Sequence, residues 1–205
     1  MVDPDIAHAP PAAASDDGRR ARSRSSRAKI VAAMLDLVAG GEVAPSVAQV
    51  AELAGVGLRS VFRHFRDMDA LYREMAEAIE RQILPILMRP PEGATWQQRL
   101  FNIADRRAAI FETIMPYRIS ANVRRFESAF LMEGYHRQLR LEAEALAAHL
   151  PAEVRADTEG ARGLNVILSF GTWRLLRHDQ SLSPQAAAAV VRRMLGDALA
   201  RWPER

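Results

Sequence analysis

The chain holds 205 residues, of which 49% are hydrophobic and 26% charged, with no cysteine and a formal net charge of +3. That length and apolar share allow one or two domains with a sizeable core, and the missing thiols exclude disulfides, thiolate metal sites and cysteine nucleophiles, which suits a reducing compartment. No window approaches the roughly 18 consecutive apolar residues of a membrane span, and the opening MVDPDIAHAPPAAASDDGRR lacks the basic start and apolar centre of a secretory signal; a cytoplasmic protein with no membrane partner is expected.

In chain order, residues 1–22 are rich in Pro, Ala, Ser and Asp and show no apolar periodicity, which predicts a disordered arm with a basic end. It runs into GRRARSRSSRAK, residues 18–29, where six basic residues crowd before the first apolar stripe. Between Arg19 and Arg66, nine Lys or Arg stand against Asp36, Glu42 and Glu52, so the positive charge of the chain gathers there. Localised basic charge is the electrostatic footprint of nucleic-acid binding, and an arm of this kind can lie in a minor groove.

Ile30, Met34, Leu37 and Val38 recur at helical spacing and predict a first helix stopped at Gly40 and Gly41. Next comes SVAQVAELAGVGLRSVFRHF, residues 46–65. Ser46 and Gln49 make a capping box, Val47, Val50, Ala51 and Ala54 face the core, and Gly55 supplies a left-handed turn. A second short helix then starts at Gly57, with Leu58, Val61, Phe62 and Phe65 expected inward and Arg59, Ser60, Arg63 and His64 outward. This arrangement predicts a helix-turn-helix, whose second helix enters a DNA major groove. A fourth helix over residues 67–84, carrying Leu71, Met75 and Ile79, is the connector, and Pro85 with MRPPEGA marks a boundary around residues 85–94.

Helical periodicity resumes from Trp96 to Met115, breaks at Pro116, runs again over residues 121–150, and returns in 163–178 and 184–202. The segment GLNVILSFGTWRLLRH, residues 163–178, is apolar on nearly every face. Such a helix must be covered on all sides, which predicts a homodimer through a four-helix bundle. Leu164, Leu168, Leu175, Val191, Met194, Leu195 and Ala198 are the expected dimer contacts. Ile103, Arg107, Phe111, Met115, Phe126, Phe130 and Trp173 are expected around a ligand cavity, and an inward-facing Arg107 or Arg118 would need an anionic partner. Glu133 and His136 are half of a di-metal motif whose other half is not evident, so neither metal nor other cofactor is expected. No catalytic triad or phosphate loop can be assembled, and no enzyme activity is expected.

The string AxxAGVxxxxVFRHFxxMxxLY, residues 51–72, resembles the DNA-binding domain of the tetracycline-repressor (TetR) family of bacterial regulators. The match runs from Arg27 to about residue 80; beyond residue 85 only length and the all-helical pattern agree. Gly57, Phe62 and Met68 stand where the family commonly has serine, tyrosine and lysine, each usually touching a phosphate. The resemblance implies an all-α fold: an N-terminal three-helix helix-turn-helix domain with its connector over residues 23–84, then a C-terminal helical ligand-binding and dimerisation domain over 85–205. The implied function is a ligand-responsive, dimeric transcriptional regulator, foremost a repressor, whose partners are a palindromic double-stranded DNA operator and a small-molecule effector. Arg59 is the first candidate for a base contact, because arginine addresses guanine through two hydrogen bonds, with Ser60 and Arg63 next. Lys29, Ser46 and His64 are candidates for phosphates, which position a helix without reading sequence, and Gly57 and Phe62 occupy positions of family contact. Two rivals stand beside this reading: a sequence-tolerant architectural DNA binder, and a small helical carrier or enzyme with a vestigial helix-turn-helix.

Overall fold

The computed structural model describes residues 13–203, with the backbone alone at residues 13–20 and 22. All regular structure among them is helical, in line with the expected all-α class: α1 (Ala13–Ala39), α2 (Val47–Leu53), α3 (Leu58–His64), α4 (Met68–Leu87), α5 (Trp96–Arg124), α6 (Ala129–Ala147), α7 (Ala152–Ala156), α8 (Thr158–Ile167), α9 (Phe170–Arg174) and α10 (Pro184–Leu199). After α9 the chain widens into a π turn, Leu175–Asp179.

Ile30, Ala33, Met34 and Val38 form the buried stripe of α1, against which Val50 and Ala51 of α2, Val61 of α3 and the following Phe65 pack. Leu71, Tyr72 and Met75 of α4 close this cluster. The 29-residue α5 is the spine of the rest, packing against α1, α4, α6, α9 and α10. Its Leu100, Ile103, Ile110, Phe111 and Ile114 meet Leu146, Val154, Leu164, Phe170, Trp173, Val191 and Leu195 in one continuous core. Buried Tyr72 shares a 3.0 Å hydrogen bond with the hydroxyl of Ser120, so α4 is tied to α5 by a polar pin as well as by apolar contact.

Four expectations change. Helix α1 begins at Ala13, so residues 13–22 of the expected arm continue the first helix; extending a helix already nucleated by the Ile30–Val38 stripe costs less than starting one. Residues 1–12 of that arm, and the side chains of Arg19, Arg20 and Arg22, lie outside the described residues. Helices α4 and α5 run through Pro85 and Pro116. Pro85 sits in the last turn of α4, where few hydrogen bonds remain to be broken. In α5, Ile110, Phe111 and Ile114 before the proline and Arg118 and Ser120 after it are buried, and this packing on both sides offsets the missing backbone bond. The next helix starts only at Ala129, capped by the Ser128 hydroxyl, which accepts from Leu131 N–H at 3.1 Å. Finally, residues 163–178 are not one helix: Ser169 leaves helical geometry between α8 and α9 and caps α9 through a 3.2 Å bond from Thr172 N–H.

Gly160 in α8 is a point of close approach, since a Cβ there would lie 2.5 Å from the Trp202 ring and 2.7 Å from an Asp157 carboxylate oxygen. Trp202 packs edge-on against Trp96 with ring centroids 6.5 Å apart, and its carbonyl accepts from Gln97 Nε2 at 3.2 Å. Gly160→Ala is expected to destabilise the fold by about 1–3 kcal/mol through overpacking. The check is a lower urea midpoint at unchanged slope.

Candidate functional site

The turn between α2 and α3 is built from local hydrogen bonds. Ser46 N–H donates to Gln49 Oε1 at 2.8 Å while Gln49 N–H donates to Ser46 Oγ at 3.2 Å, the reciprocal capping box read from the sequence. At the other end of α2, Gly55 takes φ +64°, Gly55 N–H bonds the Glu52 carbonyl at 3.1 Å, and Val56 N–H bonds that of Ala51 at 3.0 Å. These are the two bonds of a Schellman stop, and they set the direction in which α3 departs.

Helix α3 buries Val61, with Phe65 behind it, and turns Arg59 and Arg63 to solvent at the middle of the opposite face. Ser60 lies half-buried on one flank, where its hydroxyl is 3.5 Å from Arg63 Nη2. Leu58 and Phe62 form the other flank, and here the structure corrects the reading: in place of the inward positions expected for both, Phe62 is 56% exposed and Leu58 48%. Seven residues give α3 only a narrow contact arc, which Val61 and Phe65 fill. Among the described residues, neither Arg59 nor Arg63 has an acidic partner. Gly57 is the exposed N-cap of α3, and Lys29 stands on α1 beside an open cleft shared with Leu53 and Gly55.

Arg27 has a role that the basic run in the sequence does not reveal. Its guanidinium donates to the His64 carbonyl and to Glu74 Oε1, both at 2.7 Å, and lies 4.4 Å from the centre of the Phe65 ring. It therefore clasps α1 to the end of α3 and to α4; the partners lie 37 and 47 residues away, and no local pattern announces them.

His64 is turned partly inward, and its Nε2 is buried without a hydrogen-bond partner. Burial first, and then the charges of Arg63 and Arg27, lower its pKa below the ordinary imidazole value. The charged form of His64 is thus disfavoured relative to a free imidazole. A depressed histidine pKa makes the associated stability complete above about pH 6.5, the unfolded value, and progressively smaller as pH falls through the lower folded value. Wild-type protein is therefore expected to lose more stability than His64→Asn between neutral and mildly acidic pH, measured by urea titration at each pH. His149, shifted in the same direction, is common to both proteins and cancels in the difference.

In the C-terminal half, Arg107, Phe111 and Trp173 converge on a cavity of about 10 Å³, room for roughly one water, together with Ala104, Ile167 and Val191. Arg107 donates to the carbonyls of Leu168 at 2.9 Å and Glu142 at 2.6 Å. Trp173 Nε1 donates to Glu112 Oε1 at 2.8 Å, and Arg177 holds the same carboxylate at 2.7 and 2.9 Å. The other residues expected around a cavity are not brought here. Ile103 and Met115 pack into or against the core, and Phe130 lies under the Arg73 guanidinium at 4.5 Å, joining α6 to α4. Phe126 is 74% exposed in the α5–α6 connection, where Arg125 stacks on it at 4.4 Å.

The residues expected at a dimer interface also divide. Leu164, Leu168, Val191 and Leu195 are buried in the chain's own core, while Met194 and Ala198 are partly covered. Leu175 alone of the set is well exposed, with Val166 exposed nearby in sequence. The break at Ser169 lets one apolar segment turn successive faces to its neighbours, so most of its apolar surface is satisfied within the chain.

Among the described residues there is no grouping of His, Cys, Asp and Glu able to hold a metal ion, and no helix is long and apolar enough to cross a membrane. No family model matches the chain, and no curated protein matches it. Among solved structures it is similar to the crystal structure of a transcriptional regulator from Rhodococcus sp. Rha1, with a TM-score of 0.59 over 87% of this chain and 96% of that one at 19% identity. The likeness shows a shared all-helical fold along nearly the whole of both chains.

Proposed function

We propose that this chain is a transcriptional regulator of the tetracycline-repressor type, acting as a ligand-responsive repressor on a palindromic operator. The observation that carries the reading is the outward face of α3, where Arg59 and Arg63 project, without acidic partners among the described residues, from a helix set in place by the Schellman turn that ends the capped α2. Paired surface arginines on so short a helix add nothing to its packing, and a guanidinium fork suits guanine edges and phosphates. The solved regulator of similar fold supports the same reading.

In this proposal residues 23–84 read DNA and residues 85–205 bind effector and dimerise, with Leu175, Val166, Met194 and Ala198 as the surface available to a second copy on α8–α10. An effector would act by preferring the dimer whose reading helices are wrongly spaced. Helix α4 is the lever, since Tyr72–Ser120 and Arg73–Phe130 link it to α5 and α6.

The test is selection of random duplex DNA on the purified chain at about physiological salt, with light scattering for mass. An enriched inverted repeat and a dimer mass are expected. Recovery of DNA without shared sequence would favour an architectural binder instead, and no recovery even at low salt would overturn the DNA reading.

A further inference from the structure

Of the seven phenylalanines, all but two are buried or half-buried, and Phe126, one of those two, lies against the Arg125 guanidinium at 4.4 Å. Phe62 is the exception. It is 56% exposed, and among the described residues neither an aromatic ring nor a cation covers it. Leu58, four residues earlier and so on the same edge of α3, is 48% exposed. Leaving two large apolar side chains in water is unfavourable, and the core needs neither, since it meets this helix through Val61 and Phe65. Arg59 precedes Phe62 by three residues and Arg63 follows it directly, both exposed and without an acid among the described residues. The apolar edge therefore adjoins a cationic one on a single short helix.

On the DNA reading proposed above, we infer that Phe62, with Leu58 beside it, is a specificity-determining residue whose ring covers the C5-methyl group of a thymine close to the base addressed by Arg59. The adjoining arginines call for a polyanion, which sets DNA rather than an apolar protein groove against this edge. A phenyl ring has no hydrogen to donate, so phosphate oxygens give it no bond and its contact falls on the bases. In the major groove the purine N7 and O6 atoms, the thymine O4 and the exocyclic amines are all polar, and the thymine methyl is the apolar feature. Methyl against phenyl takes apolar surface of both partners out of water. The spacing agrees: three residues of helix advance about 4.5 Å, and successive base pairs lie about 3.4 Å apart. The thymine should then fall within about two base pairs of the base that Arg59 reads. Arg59 recognises its base by hydrogen bonds, and Phe62 adds a letter that no hydrogen bond can supply.

The experiment takes the duplex recovered by selection on the full chain and replaces the thymines of its half-sites, one position at a time, by deoxyuridine. That change removes the methyl group and keeps every hydrogen-bonding atom. At one position wild-type protein is expected to bind about three- to fivefold more weakly, the share of one buried methyl. Phe62→Ala is expected to bind the thymine and uridine duplexes equally, titrated at lowered salt where its affinity requires. The variant removes an exposed side chain, and the uridine series on wild-type protein needs no variant at all. Half-sites without thymine, wild-type affinity indifferent to every uridine, or a thymine preference that survives Phe62→Ala would each overturn the inference and leave the regulator reading standing. Recovery of no DNA even at low salt strikes the regulator reading and this inference together.

Discussion

Arg59→Ala is expected to weaken binding to a selected operator about 5- to 150-fold, the equivalent of 1–3 kcal/mol for one bidentate arginine–guanine contact. Arg59 is exposed at the centre of the outward face of α3 and makes no ion pair among the described residues, so its removal leaves no buried partner behind and stability should hold. The loss should fall on specific duplex and spare unrelated duplex. Arg63→Ala, one turn further on, is expected to act in the same direction, softened by the contact of Arg63 with Ser60. Lys29→Ala provides the contrast: if Lys29 meets a phosphate as proposed, its loss from α1 is expected to lower affinity for all sequences alike and to reduce the salt slope by about 0.9. Gel-shift titrations of each variant on operator and scrambled duplex, at several salt concentrations, separate base reading from phosphate binding. Equal loss on both duplexes for Arg59→Ala would remove it as a base reader.

Glu142→Ala is expected to lower the unfolding free energy by about 3–5 kcal/mol, a large share of the marginal stability of a domain. The Arg118 guanidinium is only 10% exposed, lies 4.1 Å over the Phe170 ring, and has Glu142 as its carboxylate partner at 2.7 Å. Burial is the foremost influence on Arg118 and acts to lower its pKa, with the charge and hydrogen bond of Glu142 opposing it. Without that carboxylate a charge stays buried between α5, α6 and α9. Glu142→Gln keeps an acceptor and should cost less, and joint replacement by Arg118→Met and Glu142→Leu should recover much of the loss, since no charge is then left unpaired. Urea unfolding of the four proteins tests this, and a single variant no less stable than wild type would show that water already reaches Arg118.

The α2–α3 turn is legible because everything that makes it is close in sequence. Ser46 and Gln49 are three residues apart, Gly55 closes bonds to Ala51 and Glu52, and each step is a rule of local backbone geometry. Phase is less secure over so short a helix, and periodicity puts Phe62 on the wrong side because two inner residues suffice where it assigns four. In the C-terminal half, periodicity tells which residues are apolar and not what covers them. The leucines at 164, 168 and 195, expected to meet a second copy of the chain, are spent on α5, α6 and α10 neighbours within one chain. Pro116 reads as a helix end because the local rule is strong, and burial on both sides of it is a property of the assembled bundle.

What the sequence determined by itself was the all-helical class, the α2–α3 turn and the identity of the outward arginines, since helix caps, glycine turns and solvent-facing charge act over a few residues. Tertiary structure alone decided that Arg27 is a clasp rather than part of a basic arm, that burial disfavours the charged form of His64, and that Arg107 donates to two backbone carbonyls. Each of these depends on desolvation and on partners dozens of residues away, and it is packing that brings such groups together and takes water from between them.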